Sequence, residues 1–256
     1  MFDIGRRKFI GGILLGFLGS CTTNMEDYLA SFSEQGPIAR ASWGAIPIEF
    51  ENIEIPQFWA DYQGVEFSTV PEQKRNTKLG ELERELKLYP MDFLEKEVRK
   101  IYVLESLSVF GNPLAGTRIK DGRIYTAYPF AFHGELSSLL YLNPETNFPT
   151  TEWNAVNPQG FIYQGYNSTR PLPDGSTHFA DNVLLENGFI GPYAKWTEEE
   201  DFNLYFEKLF TEPTRLISAT FSFPRVAEKT QLTIDYYNSV SGRSLTLPDF
   251  ANIRNK

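Results

Sequence analysis

Residues 101–142 constrain the fold of this 256-residue chain more than any other stretch, because strand, hairpin and helix signals follow one another there. The apolar residues 101–104 predict a buried strand, with a second strand segment over residues 106–110. Residues 119–125 contain an Asp-Gly pair, which predicts a hairpin with a tight type I′ turn, because both central residues of that turn need positive φ. Residues 131–142 carry apolar side chains at helical spacing and predict a helix that packs on the core.

The same spacing predicts four further helices, over residues 71–88, 91–99, 198–210 and 225–239. Residues 46–55 alternate apolar with polar side chains, but Pro47 lacks an amide proton and favours an edge strand or an extended arm. Residues 143–192 are rich in Asn, Gly, Pro and Tyr and predict a long, loop-rich insert. Together these patterns predict a single α+β domain over residues 41–256.

The first 20 residues have the pattern of an export signal rather than of a folded element. A positively charged segment, residues 6–8, precedes an apolar stretch over residues 9–18 that is too short to span a bilayer. The stretch ends in Leu-Gly-Ser before Cys21, and this pattern resembles the lipobox of bacterial lipoproteins. The resemblance implies removal of residues 1–20, lipidation of Cys21, and a flexible stalk over residues 21–40.

The two adjacent arginines, Arg6 and Arg7, leave the export route open. With the residues that follow, they resemble a twin-arginine signal, which exports folded proteins, but such pairs also occur in signals of the general secretory pathway. Either route predicts a lipid-anchored, extracytoplasmic (periplasmic) protein at the cell membrane or the outer membrane. The alternative is a plain signal peptide in which Cys21, the single cysteine of the chain, is incidental.

The charge balance excludes two kinds of partner. The chain carries a net charge of −9 at pH 7, to which the first 20 residues contribute +2, so the remainder carries −11. A domain this acidic is not expected to bind nucleic acid or to adhere electrostatically to anionic lipid. The predicted contact with the lipid bilayer is therefore made through the lipid on Cys21.

Three segments together resemble one enzyme family. Residues 131–140 read Ala-Phe-His-Gly-Glu-Leu-Ser-Ser-Leu-Leu and follow a hairpin, as the H-E-x-x-H helix does in zinc metallopeptidases. Residues 187–202 are similar to the G-F-x-x-x-Y-A…E-D-F segment of bacterial zinc-metallopeptidase lipoproteins, which resemble the catalytic domain of anthrax lethal factor, and residues 153–163 are similar to their middle segment. The resemblance covers about residues 90–240. It implies a zincin-like (gluzincin) fold with a small mixed sheet, an inner helix and a downstream glutamate helix.

The metal site departs from the family pattern. The resemblance puts Glu135 at the position of the general base and Glu200 at that of the third zinc ligand, whereas Gly134 and Ser138 replace the two ligand histidines. Catalytic zinc normally takes three protein ligands, glycine offers none, and a neutral hydroxyl is a poor one. The sequence therefore predicts a degenerate metallopeptidase-like domain without a bound cofactor, in which Glu135 is vestigial and the old substrate cleft binds a peptide or protein.

Other interpretations stay open beside this one. His133, His178 and Glu200 could form a substitute zinc site in an active hydrolase, although His133 is rotated by about 100° from the ligand positions on a helix. Glu200 is also explained by a capping box, three residues after a threonine. Tyr163 and Tyr193 either line the cleft or simply pack. A purely structural envelope lipoprotein is the third possibility.

Overall fold

The computed structural model describes residues 40–57, 64–165 and 179–255 of the chain. These residues belong to one unit, Pro37–Lys256. The export segment with Arg6 and Arg7, the lipidation candidate Cys21, and His178 lie outside the described residues. In the part of the chain that is described, no helix combines the length and the apolar character needed to cross a membrane.

Seven strands form one mixed sheet in the described residues. They are β1 Arg40–Trp43, β2 Ile46–Glu49, β3 Val65–Thr69, β4 Lys100–Val109, β5 Asn112–Pro113, β6 Gly116–Ile119 and β7 Arg123–Thr126. The main path runs β1-β2-β4-β7-β6, and both β3 and β5 pair with the second half of β4. β4 is parallel to β2 and β7, and the other pairs are antiparallel. Among the described strands, β6 is therefore an edge strand.

Nine helices accompany the sheet in the described residues. They are α1 Glu72–Leu86, α2 Met91–Glu97, α3 Ala131–Leu142, α4 Thr150–Val156, α5 Asn182–Glu186, α6 Glu198–Thr211, α7 Pro213–Ser222, α8 Pro224–Ser241 and α9 Leu247–Arg254. Short 3₁₀ turns cover Pro144–Thr146 and Pro192–Lys195. The predicted α+β class, with a mixed sheet, is confirmed, and so are the helices predicted at α1, α2, α3, α6 and α8.

Helix α3 is the inner helix of the domain, packed against β6, β7 and α6. Its apolar residues Phe132, Leu136 and Leu140 recur every fourth position and are fully buried. Helix α6 presents Phe202 and Phe206 at the same spacing, also fully buried. The two helices are thus held together by interlocking apolar faces, and this packing fixes which polar side chains meet between them.

The hairpin between β6 and β7 forms as predicted, but its turn is different. Ile119 pairs with Arg123, so the loop contains three residues, and only its last residue, Gly122, has positive φ (+89°). This is the three-residue loop that ends in a left-handed glycine, not the two-residue type I′ turn, which needs two positive φ values. Glycine is also required by space, because a Cβ there would lie 3.0 Å from the backbone nitrogen of Arg99.

Two strand predictions are wrong in detail. The segment with Pro47 forms β2, which lies between β1 and β4 and is not an edge strand or arm. The sheet tolerates this proline because the pairing with β4 begins only at Ile48, one residue later. The two apolar segments predicted from residue 101 to residue 110 form one continuous strand, β4. Helices α7 and α9 were not predicted, and the insert contains α4 and α5.

Candidate functional site

Strand β6 and helix α3 bring Glu135 to the edge of the sheet. Gly116 opens β6, and a Cβ added to it would lie 3.1 Å from both Cγ and Oε1 of Glu135. The same Cβ would lie 2.9 Å from the carbonyl oxygen of Tyr125 on β7. Only glycine allows this close approach of strand and helix. Glu135 therefore packs closely against the start of β6, and the partly exposed surface around it, between β6 and α3, is called the β6 cleft below.

The surroundings of Glu135 favour its neutral form. The side chain is half-buried, and burial raises the pKa of its carboxyl to about 8. The Arg118 guanidinium on β6 opposes this shift, whereas three acidic neighbours add to it, namely Glu200, Glu199 and Glu207. Near neutral pH Glu135 accordingly keeps its proton and can donate a hydrogen bond. Enzymes also raise the pKa of catalytic carboxyls toward neutral pH, so this shift fits a hydrogen-bond donor and a catalytic acid or base equally.

Asn203 on α6 joins the positions that the family resemblance assigns to two metal ligands. Its Nδ2 donates to Oγ of Ser138 at 2.7 Å and to Oε2 of Glu200 at 3.4 Å. Its Oδ1 accepts from the Ser137 hydroxyl at 2.6 Å. The Asn203 amide thus donates to Ser138 and Glu200 and accepts from Ser137. Sequence reasoning missed Asn203, although its place one turn after Glu200 puts both on one helix face.

Glu200 and Tyr193 are in hydrogen-bond contact. The Tyr193 hydroxyl donates to Oε1 of Glu200 at 3.1 Å, and both residues are only partly buried. Thr197 caps α6, because its hydroxyl accepts from the Glu200 amide at 3.1 Å. The Thr197 hydroxyl thus supplies one half of the predicted capping box, while the Glu200 carboxylate accepts from Tyr193 and Asn203.

His133 faces the core instead of the β6 cleft. The residue is fully buried, and its ring stacks on Phe210 with the ring centroids 5.3 Å apart. Nδ1 lies 2.5 Å from the Tyr89 hydroxyl, and Nε2 lies 2.8 Å from Oε2 of Glu85. Because both nitrogens are engaged inside the domain, His133 is not brought to Glu200 as the substitute zinc site requires. The rotation of one residue along the helix is the physical reason.

Tyr163 belongs to a second network, which sequence reasoning missed. Asp201 and Lys229 are completely buried, with Nζ 2.5 Å from Oδ2. The same Oδ2 accepts from the Tyr163 hydroxyl at 2.8 Å and from the Trp153 indole at 3.1 Å, and Lys229 also donates to Oδ1 of Asn157 at 2.7 Å. Burial raises the pKa of Asp201 and lowers the pKa of Lys229. Tyr163 therefore ties the segment after α4 to α6 and, through Asp201 and Lys229, to α8.

Comparison with known proteins gives one structural match. No protein-family model matches this chain, and no curated protein matches it. The chain aligns with the crystal structure of a "putative zinc-binding metallo-peptidase" from Bacteroides caccae. The two share 16% sequence identity and a TM-score of 0.46, over 81% of this chain and 84% of the other. At this level of identity the match concerns the fold alone.

The residues at the expected ligand positions do not fit zinc. Gly134 has no donor atom, and the Ser138 hydroxyl is held by the Asn203 amide. Only Glu200 offers a carboxylate, which leaves one protein ligand where a catalytic zinc takes three. Across the described ranges, no three His, Cys, Asp or Glu side chains converge as a metal site. The donor set of the β6 cleft therefore suits hydrogen bonding, not metal coordination.

Proposed function

We propose that this chain is a non-catalytic binding protein of zincin-like architecture that holds an extended peptide in the β6 cleft. One observation carries the proposal: the Asn203 amide bridges Ser138 and Glu200, the positions where the family resemblance implies metal ligands. A hydrogen-bonded amide satisfies both side chains without a metal. Glu135 then has no metal-bound water to activate, and water alone is too weak an acid for a carboxylate near neutral pH.

The edge of the sheet supports a peptide as the ligand. β6 ends the main path of the sheet, so none of the strands in the described ranges pairs with the other side of its backbone. An extended peptide can add to such an edge through main-chain hydrogen bonds. Glu135 lies directly against the first residue of β6, and in its protonated form it can donate to a carbonyl group of the added strand. The β6 cleft thus offers the backbone of β6 and the carboxyl of Glu135 to a peptide, beside the positions at which the metal ligands are replaced.

A peptide selected at pH 7 from a random display library should bind more weakly as the pH rises through about 8. Glu135 then loses the proton that it donates, and its new negative charge faces the peptide carbonyl. The expected loss is about 10-fold between pH 7 and pH 9, the size of one neutral hydrogen bond whose acceptor is left unpaired. Fluorescence polarisation of the labelled peptide across this pH range measures it.

The matched control is Glu135→Gln, which keeps a neutral donor of the same shape at every pH. Its affinity should equal that of the unmodified protein at pH 7 and should stay constant up to pH 9. Cleavage of the selected peptide during the assay would favour the active hydrolase instead. A pH profile that is the same in both proteins would show that Glu135 does not contact the peptide, and failure to select any peptide would remove the proposed function.

We also propose that the protein is tethered to a membrane through lipidated Cys21, on the extracytoplasmic side. The support is the lipobox-like sequence that ends at this residue, and the acidic charge of the remaining chain, which leaves the lipid as the means of attachment. One acyl chain alone binds a bilayer weakly, so more than one chain is expected on this residue.

The tether is tested by Cys21→Ala, which removes the single cysteine of the chain. The variant should leave the membrane fraction or remain as an unprocessed precursor, and labelled palmitate should be incorporated into the unmodified protein alone. Cell fractionation with immunoblotting measures both forms. Fully processed Cys21→Ala protein in the membrane fraction would place the anchor elsewhere in the chain.

A further inference from the structure

Four polar side chains form a closed ring of hydrogen bonds where the segment after α4 contacts α6 and α8. Nζ of Lys229 donates to Oδ1 of Asn157 at 2.7 Å and to Oδ2 of Asp201 at 2.5 Å. The Tyr163 hydroxyl donates to the same Oδ2 at 2.8 Å and accepts from Nδ2 of Asn157 at 3.1 Å. The ring therefore connects an amine, a carboxamide, a phenol and a carboxyl group, each in contact with the next.

The amine of Lys229 lies next to the carbonyl carbon of Asn157. This carbon, Cγ, is bonded to Oδ1 over about 1.2 Å, so Nζ is within about 4 Å of it. Neighbouring groups react readily when the reacting atoms are about 3–3.5 Å apart. Asn157 follows the last residue of α4 and is only half-buried, so a small rotation of its side chain is enough to reach that distance. The geometry therefore places a nucleophile beside an acyl carbon.

The surroundings of the amine favour its nucleophilic, uncharged form. The side chains of Lys229 and Asp201 have no exposed surface, and Oδ1 of Asp201 is buried without a hydrogen-bond donor. The rings of Phe189 and Trp153 lie over Nζ, with their centroids 4.5 Å and 5.2 Å away, and keep water from it. Two buried charges cost desolvation energy, and the passage of one proton from Nζ to the carboxyl group, over 2.5 Å, removes both.

We propose that Lys229 and Asn157 become joined by an intramolecular isopeptide bond that the folded chain forms by itself. Nζ gives one proton to the carboxyl group of Asp201 and attacks Cγ of Asn157. The Cγ–Nδ2 bond then breaks as Nδ2 takes the proton of the Tyr163 hydroxyl, which Asp201 replaces with the proton that it received. Nζ passes its second proton to Asp201, one ammonia molecule leaves, and the products carry no charge. The reaction needs no oxidant and no cofactor.

The bond closes a long loop of the chain. Its ends are 72 residues apart in the sequence, and the loop contains α5, α6 and α7. A covalent link between such distant residues restricts the unfolded chain, so the reacted protein should resist unfolding. Cys21 is the single cysteine, so no disulfide within the chain can supply this constraint. The reaction uses none of the groups assigned to peptide binding, so either proposal can fail without the other.

Mass spectrometry of the purified full-length protein tests the bond. The reacted chain should be lighter than the same chain without the bond by one ammonia, about 17 Da, and its proteolytic digest should contain a branched peptide that joins Asn157 to Lys229. Asn157→Ala removes the acyl group but keeps the pair of Lys229 with Asp201, and it should show neither the mass deficit nor the branch. Asn157→Asp should restore the branch with the loss of one water, about 18 Da, in place of ammonia.

Two further variants complete the test. Asp201→Asn keeps the shape of the side chain but cannot take the proton, so the branch should be lost. Asn182→Ala changes an exposed asparagine on α5 and is the matched control, which should form the bond as the unmodified protein does. Three results would each overturn the proposal: Asn157 and Lys229 recovered only in separate peptides, a branch from Lys229 to Asp201, or an undiminished branch in Asp201→Asn. If Asp201→Asn does not fold, as judged by circular dichroism, the unmodified protein and the two variants of Asn157 still decide the outcome.

Discussion

Replacing Lys229 with methionine is expected to lower the free energy of unfolding by about 3–5 kcal/mol, among the largest losses for a single substitution in this domain. Lys229 and Asp201 are both completely buried, and no solvent can compensate either charge. Methionine fills a similar volume but leaves the Asp201 carboxylate without its cation. The hydroxyl of Tyr163 and the indole of Trp153 still donate to that carboxylate, which limits the loss without removing it.

A second substitution separates the charge from the packing. Lys229→Met combined with Asp201→Asn removes both charges and keeps an acceptor for the Tyr163 and Trp153 donors. This double variant should be more stable than Lys229→Met alone, so the two substitutions should show a coupling energy of about 1–3 kcal/mol. Such coupling is expected because the destabilisation in the single variant comes from an unpaired buried charge, and that charge is absent from the double variant.

Urea unfolding measures these stabilities, with a shift of the midpoint at constant slope. Glu228→Gln, an exposed substitution on the same helix, is the control and should stay within about 0.5 kcal/mol of the unmodified protein. A Lys229→Met protein that loses less than about 1 kcal/mol, or a double variant in which the two effects simply add, would show that the pair is not the buried ion pair seen here.

The inner part of the fold was predictable because its signals are periodic. In α3 and α6 the apolar residues repeat every three or four positions, and Thr197 marks the start of α6, so their extents were predicted to within one residue. The prediction for the strand that contains Pro47 was wrong because proline is excluded only where a neighbouring strand needs a hydrogen bond from its amide. Whether β4 needs one at this residue is known only from the pairing of β2 with β4. The turn at Gly122 failed for a similar reason, since the register of β6 and β7 sets its length.

The sequence predicted which candidate site residues lie on each helix, but not which side chains of the two helices contact each other. Glu135, Ser138 and Glu200 were named from the sequence, and the structure connects Ser138 to Glu200 through a residue that was not named, Asn203. The link depends on the rotation of α6 against α3, which no local pattern reveals. Lys229 did leave a signal, because it lies three residues after Val226 on the buried face of a predicted helix. A lysine at such a position indicates a buried partner.

Restoring the two histidines that the family resemblance places at Gly134 and Ser138 should restore zinc binding. A variant with Gly134→His, Ser138→His and Asn203→Ala should bind zinc stoichiometrically, with a dissociation constant below about 1 µM. The unmodified protein should retain no stoichiometric zinc, since it offers one carboxylate in place of three ligands. Two histidines four residues apart on α3 face the same side and can bind one metal together with Glu200. Competition with a chromophoric zinc chelator measures the affinity, and elemental analysis measures the stoichiometry.

The structure indicates that the new side chains have room. A Cβ at Gly134 meets no heavy atom nearer than Oε2 of Glu207, at 3.9 Å, which is an ordinary contact distance. The helix should also become more stable there, because glycine costs about 1 kcal/mol in a helix interior. Ser138 is almost fully buried, and its hydroxyl lies 2.7 Å from the Asn203 amide, so an imidazole fits only if that amide is removed. This is why the third substitution is part of the design.

A control with one histidine displaced distinguishes zinc binding at the designed site from nonspecific zinc binding by the added histidines. Gly134→His, Glu145→His and Asn203→Ala adds the same number of histidines, but the second imidazole lies beyond the end of α3, at an exposed residue eleven positions after the first, and should not share a metal with it. Adding Glu200→Gln to the original triple variant should weaken zinc binding by at least about 10-fold, because an anionic ligand is lost. A folded triple variant that binds zinc no better than this control would show that α3 and Glu200 are not placed as in zincins. Stoichiometric zinc in the unmodified protein would overturn the degenerate site itself and would favour an active hydrolase with ligands outside the described residues, His178 first among them.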